Sequence, residues 1–294
     1  MATLDTHLVT LHLSNPLILA SGVLDMTRSS LKGMTAAGAV VTKSIGLDER
    51  KGHPNPTVVE LEYGLLNAMG LPNPGIDAFL EEIRGLKKKQ ILIGSIFGKD
   101  SQEFSLLAQK MQDHVSALEL NMSCPHVQDY GASVTPAIEK ITRTVTTTVD
   151  IPVFVKLGME NIICNAQAAQ RGNASGIVAI NTLPAMAIDI ETTLPILGNK
   201  TGGYSGSAIK PIGVRCIYEL ARTCDVPLIG VGGIMTAEDV LQYLMAGASA
   251  VQMGTSLYSR GVNVFTVICQ KLKEWMDCHG YSNIDDLVGL AVKK

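Results

Sequence analysis

Short runs of continuous apolar residues alternate with amphipathic stretches along almost the whole chain. Apolar runs at 16–20, 39–42, 91–96, 117–120, 153–157, 176–180, 227–231 and 250–253 read as strands. They are apolar nearly throughout rather than at every second position, the pattern of strands covered on both faces of a parallel sheet. Helix-like segments lie between them. Residues 27–37 open on Thr27, a good N-cap residue, and 76–86 place Ile76, Phe79, Leu80 and Ile83 on one face. Residues 101–112 open on Ser101 with Glu103 in the first turn. Further helices are expected at 137–145, 165–171, 212–222, 236–245 and 262–278, with Thr236 and Asp239 spaced as a capping box. Strand followed by helix, eight times over, predicts parallel strands joined by right-handed crossovers. The expected fold is α/β: a single (β/α)8 TIM barrel over residues 1–294, with its active site at the C-terminal mouth of the strands.

Two insertions break the rhythm, at 46–74 and 183–210. Both follow strands and so fall on the side where barrel sites are built. Their Gly, Pro and Asn content (PNPGID, NKTGGYSG) reads as shaped backbone.

Composition narrows the field. Hydrophobic residues make up 46% and charged ones 17%, which fits a well-buried globular enzyme and excludes a disordered chain. A net charge of −3 offers no general attraction to nucleic acid or acidic membrane. No apolar run reaches the roughly 18–20 residues that span a bilayer. The first residues, MATLDTHLVTLHL, lack a signal-peptide pattern, so a cytoplasmic location is expected. Six cysteines include no CxxC pair, which signals neither a zinc site nor an iron–sulfur cluster.

Candidate chemistry collects where the strands end. In order, the exits carry Ser21–Gly22, Lys43–Ser44, Ser95, Asn121 with Cys124, Lys156, Asn181–Thr182, Gly232–Gly233 and Gly254–Thr255. Any one of these is ordinary: a strand-end lysine usually snorkels, and a free cysteine is more often a small buried hydrophobe. Eight polar or glycine exits around one mouth make an active site the better reading. The glycine pairs after the last two strands suit a phosphate held by backbone N–H groups. Two mouth lysines suit an anionic substrate, or a cofactor that becomes anionic on reduction. Asn67, Asn121 and Asn181 can each donate and accept, as an imide-like ring edge requires. Cys124 is a candidate proton-transfer group if a neighbouring cation lowers its pKa, and His126 could also titrate.

These residues resemble the catalytic subunit of class 1 dihydroorotate dehydrogenases, closest to the 1B type. The likeness runs nearly end to end, through NPLILASG (15–22), VVTKSIG (40–46), NAMGLPNPG (67–75), ELNMSCP (119–125), VKLG (155–158), INTL (180–183), NKTGGYSG (199–206), VGGI (231–234) and QMGTSL (252–257). The resemblance implies FMN as cofactor and oxidation of dihydroorotate to orotate in pyrimidine biosynthesis. It makes Cys124 the general base for the C5 proton, with hydride passing from C6 to flavin N5. It assigns the substrate to Lys43, Asn67, Asn121, Asn181 and Thr182, with the backbone of Met69, Gly70 and Leu71 closing around it. It assigns FMN to Ser21, Lys43, Ser44, Ser95, Asn121, Lys156, Ile180, Gly206, Gly232, Gly233, Gly254 and Thr255. Residues 183–210 and 128–135 become candidates for a flexible lid. The expected assembly is a homodimer, with a separate FAD and iron–sulfur subunit as candidate partner, and with neither nucleic acid nor membrane bound.

Two positions depart from the family pattern. His126 stands where the family usually has a substrate-contacting Asn, and Ser95 where an FMN-contacting Asn is usual. The CPH triplet is similar to dihydropyrimidine dehydrogenases, but residues 128–135 hold no second cysteine, and Lys43 has no carboxylate to meet in a neutral base. A tRNA-dihydrouridine synthase would show Gly in place of Ser123, an extra helical domain and a basic stripe. A non-redox phosphate-binding barrel, without flavin, is the remaining rival.

Overall fold

The computed structural model describes residues 2–24, 27–88, 90–122 and 134–293. Eight parallel strands close into a barrel: β1 (Leu17–Leu19), β2 (Ala39–Val41), β3 (Leu92–Ile96), β4 (Ala117–Asn121), β5 (Val153–Leu157), β6 (Gly176–Ala179), β7 (Leu228–Val231) and β8 (Ala250–Met253). All eight fall where the apolar runs predict them, to within two residues at either end. Closure is by β8 on β1, with Gln252 opposite Ile18 and Met253 opposite Leu19.

Alternate residues of each strand face opposite sides, so the barrel has two apolar clusters. Inside it, Ile18, Ala39, Val41, Ile93, Ala117, Phe154, Val178, Ile229 and Ala250 pack together. The interior is stoppered from below by an antiparallel hairpin, Thr6–Leu8 with Leu11–Leu13, whose Leu8, Leu11 and Leu13 join that cluster. The other parity packs outward against the helices, for example Leu118 and Leu120 of β4. Moving up β2, β3, β5 and β8 on the inward parity, the residues change from apolar to polar: Val41 to Lys43, Ile93 to Ser95, Phe154 to Lys156, Ala250 to Gln252. The barrel is thus a dry core with a polar upper layer.

Helices α1 (Arg28–Lys32), α2 (Ile76–Ile83), α3 (Ser101–Met111), α4 (Val134–Thr146), α5 (Ile162–Arg171), α6 (Lys210–Ala221), α7 (Ala237–Met245), α8 (Thr255–Arg260) and α9 (Val264–His279) follow the strands. The Thr236–Asp239 capping box forms as expected at α7. The cap of α3 is Asp100 rather than Ser101: its carboxylate accepts from Gln102 and Glu103 N–H, satisfying two amides that a helix start leaves unpaired. Among the described residues no helix is long and apolar enough to cross a membrane.

The insertions are built as sheet. Strands Val58–Leu61 and Gly64–Asn67 from the first pair with Gly202–Ser205 and Leu183–Ala185 from the second in one four-stranded antiparallel sheet. The expected flexible lid at 183–210 is therefore, at both ends, a paired strand, because its backbone polar groups find ladder partners on the other insertion. Most of the second lid candidate, 128–135, lies outside the described residues; its Val134 and Thr135 begin α4.

Candidate active site

A cavity of about 1170 Å3 lies between the barrel mouth and this sheet. Every strand of the barrel except β3 contributes wall residues at or just past its C-terminal end.

On the β1–β4 side a chain of polar contacts fixes the wall. Ser21 and Ser44 hydroxyls meet at 3.3 Å, and Asn121 Nδ2 donates to Ser44 Oγ at 3.2 Å. Ser95 is fully buried, its hydroxyl 2.9 Å from that of Ser44. The structure therefore sets Ser95 beneath Ser44, supporting the wall without forming part of it. Lys43 crosses above: its Nζ lies 3.2 Å from where a Cβ on Gly22 would stand. Burial pushes the Lys43 pKa below its ordinary 10.5, because desolvation penalises the charged form. Among the described residues Lys43 has no ion-pair partner, so an anion entering the cavity would supply the missing charge.

Lys156 occupies the floor. Its Nζ donates to Gln252 Oε1 at 2.9 Å and lies 3.6 Å from Glu119 Oε1; Gln252 Nε2 in turn donates to Glu119 Oε2 at 2.5 Å. All three residues are buried. Sequence reading singled out Lys156 alone. Glu119 and Gln252 carry a usable signal, each being a polar residue inside an apolar strand, on the inward parity two residues before Asn121 and Gly254.

Opposite, the insertions supply the roof. Asn67 donates through Nδ2 to the Gly203 carbonyl at 3.1 Å. Met69, Gly70 and Leu71 line the cavity, with Gly70 and Leu71 both left-handed (φ 73° and 54°) and the Met69 carbonyl accepting from His53 N–H at 3.0 Å. The exit of β6 brings Ile180, Asn181 and Thr182 to the wall, where Thr182 N–H donates to Asn181 Oδ1 at 2.8 Å.

The glycine exits of β7 and β8 complete the ring. Gly232, Gly233, Gly254 and Thr255 line the cavity, and Thr255 Oγ donates to Ser205 Oγ at 3.0 Å. A Cβ on Gly233 would come within 2.7 Å of both the Gly206 carbonyl and Lys210 N, at φ 68°, so only glycine serves there. Gly206 packs closely on Gly64 and Tyr63: a Cβ there would fall 2.5 Å from Gly64 Cα and 2.7 Å from the Tyr63 carbonyl. Beneath the turn, the Tyr243 hydroxyl lies 2.7 Å from the Gly232 carbonyl and 3.2 Å from that of Val231. Burial pushes the Tyr243 phenol far up, so it stays a donor. Cys124 and His126 lie outside the described residues.

One mouth thus brings together a buried and a half-buried lysine, three asparagines and two glycine turns drawn from across the chain. A family model described as dihydroorotate dehydrogenase matches residues 3–276. The chain is 48% identical over 297 aligned residues, covering 99% of both chains, to a protein of Pyrococcus abyssi named dihydroorotate dehydrogenase B (NAD(+)), catalytic subunit. Proteins of the same name from Methanocaldococcus jannaschii and Thermoplasma acidophilum are 46% and 45% identical, over 98% and 100% of each chain. The chain belongs to the dihydroorotate dehydrogenase family.

Proposed function

We propose that this chain oxidises dihydroorotate to orotate with FMN as its cofactor, as a step of pyrimidine biosynthesis in the cytoplasm. The observation that carries the reading is Lys43, a desolvated cation on the cavity wall with no counter-ion among the described residues. Burial of that kind is unfavourable unless an anion answers it. A substrate carboxylate does so; a neutral pyrimidine base does not.

The residues present suit FMN. The cavity exceeds the roughly 300–1,000 Å3 of a pocket for one drug-sized ligand, leaving room for cofactor and substrate together. The turns at Gly232–Gly233 and Gly254–Thr255 leave backbone where side chains would intrude. Ser21, Ser44, Asn121, Lys156 and Ile180 would complete the set, with Ser95 and Gly206 acting through Ser44 and Gly233. When bound, FMN supplies the two-electron acceptor for the hydride that leaves substrate C6.

This chain's own groups do the rest. Lys43 binds the substrate carboxylate and also reaches the cofactor side of the cavity. Asn67, Asn121, Asn181 and Thr182 hold the ring edge, matching its N–H donors with oxygens and its carbonyls with amide N–H groups. Met69, Gly70 and Leu71 close the roof with backbone, and the insertion sheet keeps bulk water away from the reacting atoms, which strengthens the polar contacts made there. Cys124, as thiolate, takes the proton from C5. The words catalytic subunit and NAD(+) in the relatives' name support a separate partner subunit. We take that partner to be an FAD and iron–sulfur protein passing electrons to NAD+, and the catalytic chain to form a homodimer.

Anaerobic mixing of the FMN-loaded protein with dihydroorotate tests the reading. Bleaching of the flavin bands, with orotate formed in equal amount, is expected. Reoxidation by fumarate, quinone and NAD+ in parallel identifies the acceptor. A flavoprotein that dihydroorotate leaves yellow would sink the assignment.

A further inference from the structure

Glu119 has no part in the chemistry above, yet it is a fully buried carboxylate inside the barrel. Taking an ion out of water costs several kcal/mol even after relaxation, so such a group persists only where something answers it. Two groups do. Glu119 Oε2 accepts from Gln252 Nε2 at 2.5 Å, while Oε1 makes no hydrogen bond and faces the Lys156 ammonium at 3.6 Å. Gln252 is the link between the charges: its amide N–H points to the carboxylate, and its carbonyl accepts from Lys156 at 2.9 Å. An ammonium has three N–H bonds. One is spent on Gln252, and Glu119 draws the ammonium through charge at 3.6 Å without a hydrogen bond, which leaves donors for the cavity that Lys156 and Gln252 line. Glu119 itself is not part of the cavity wall; it lies behind them.

From this we infer that Glu119 is a positioning residue for the flavin site. It aims the Lys156 ammonium and offsets its charge, which keeps the reduction potential of bound FMN low enough for electrons to leave. Lys156 alone would present an uncompensated positive charge, favouring the anionic reduced cofactor and trapping its electrons. With Glu119 in place the pair carries no net charge, and only the near, cationic end faces the cavity. The inference rests on the FMN reading given above.

The midpoint potential of the bound flavin, with sulfite titration of the oxidised form, reads this directly and without turnover. Glu119→Gln is expected to retain FMN, favour the reduced form at least tenfold (about 30 mV for a two-electron couple) and bind sulfite at least tenfold tighter. Gln252→Glu, whose carboxyl shares one proton with Glu119 and adds a charge against Lys156 as that proton leaves, is expected to move both quantities the other way, relative to wild type at the same pH, as pH rises. The double variant, with the carboxylate transposed to position 252, should return towards wild type. A Glu119→Gln protein that loses thermal stability but keeps potential and sulfite affinity within twofold would show a merely structural role. Should Glu119→Gln not fold, a Gln252→Glu protein unshifted from wild type across the whole pH range overturns the inference equally. Wild-type protein unable to bind FMN would instead remove the reading beneath it.

Discussion

Asn67 Nδ2 donates to the carbonyl of Gly203 at 3.1 Å across 136 residues of chain. The two residues are also register partners, so the bond ties the two insertions at the point where they roof the cavity. Gly203 has a second neighbour: a Cβ there would fall 2.0 Å from Thr182 Oγ1 and 2.7 Å from Thr182 Cβ. The roof and the β6 exit are in contact with no space between them.

Gly203→Ala should therefore displace Thr182 or spread the sheet. Overpacking of this kind costs about 1–3 kcal/mol. The expected outcome is a lower Tm together with at least a tenfold loss of kcat/KM for dihydroorotate and near-normal FMN content. Wild-type kinetics at a lowered Tm would take Thr182 out of substrate binding.

Lys43→Met is expected to raise KM for dihydroorotate by tenfold or more, since a hydrogen bond to a charged group contributes about 1.5–3 kcal/mol. Ligand-free stability should move the opposite way. With its pKa lowered in the folded state, Lys43 binds its proton more weakly folded than unfolded, so its charge destabilises the fold at neutral pH. The variant should be the more stable protein there. Its advantage should shrink as pH rises from the lowered native value towards 10.5, above which neither state is charged. Denaturant melts from pH 7 to 10.5 check the sign, and a variant less stable at neutral pH contradicts it.

Tyr243→Phe removes the hydroxyl beneath the Gly232 carbonyl. Leaving a buried acceptor unpaired costs about 1–3 kcal/mol. Because that carbonyl belongs to the turn proposed to hold the cofactor phosphate, FMN should dissociate several-fold faster, with KM for dihydroorotate unchanged. Equal FMN off-rates in both proteins would place the turn away from the cofactor.

Cys124→Ser should keep FMN yet slow its reduction by dihydroorotate about 10²-fold or more near neutral pH, as expected when a general base is lost. Anaerobic stopped-flow measures this half-reaction by itself. Unchanged reduction would transfer the base role to another group, with His126 the next candidate.

Local pattern carried much of this protein. A nearly continuous apolar run of four to six residues has one stable place in a chain that alternates with amphipathic helices, the inside of a parallel sheet. That is why all eight barrel strands, the mouth and the two insertions were legible from residue order alone. Period-two alternation also marks Glu119 and Gln252 as inward polar residues. What the sequence could not specify is which inward residues meet. Glu119, Lys156 and Gln252 sit on strands four, five and eight, and only barrel closure brings the last within hydrogen-bond reach across 133 residues. Ser95 is hidden beneath Ser44, and 183–210 is pinned by strand pairing, for the same reason. Hydrophobic periodicity is set by neighbours in the chain, whereas contacts across the mouth and the pairing of the two insertions are set by how the strands close and which free edges find each other.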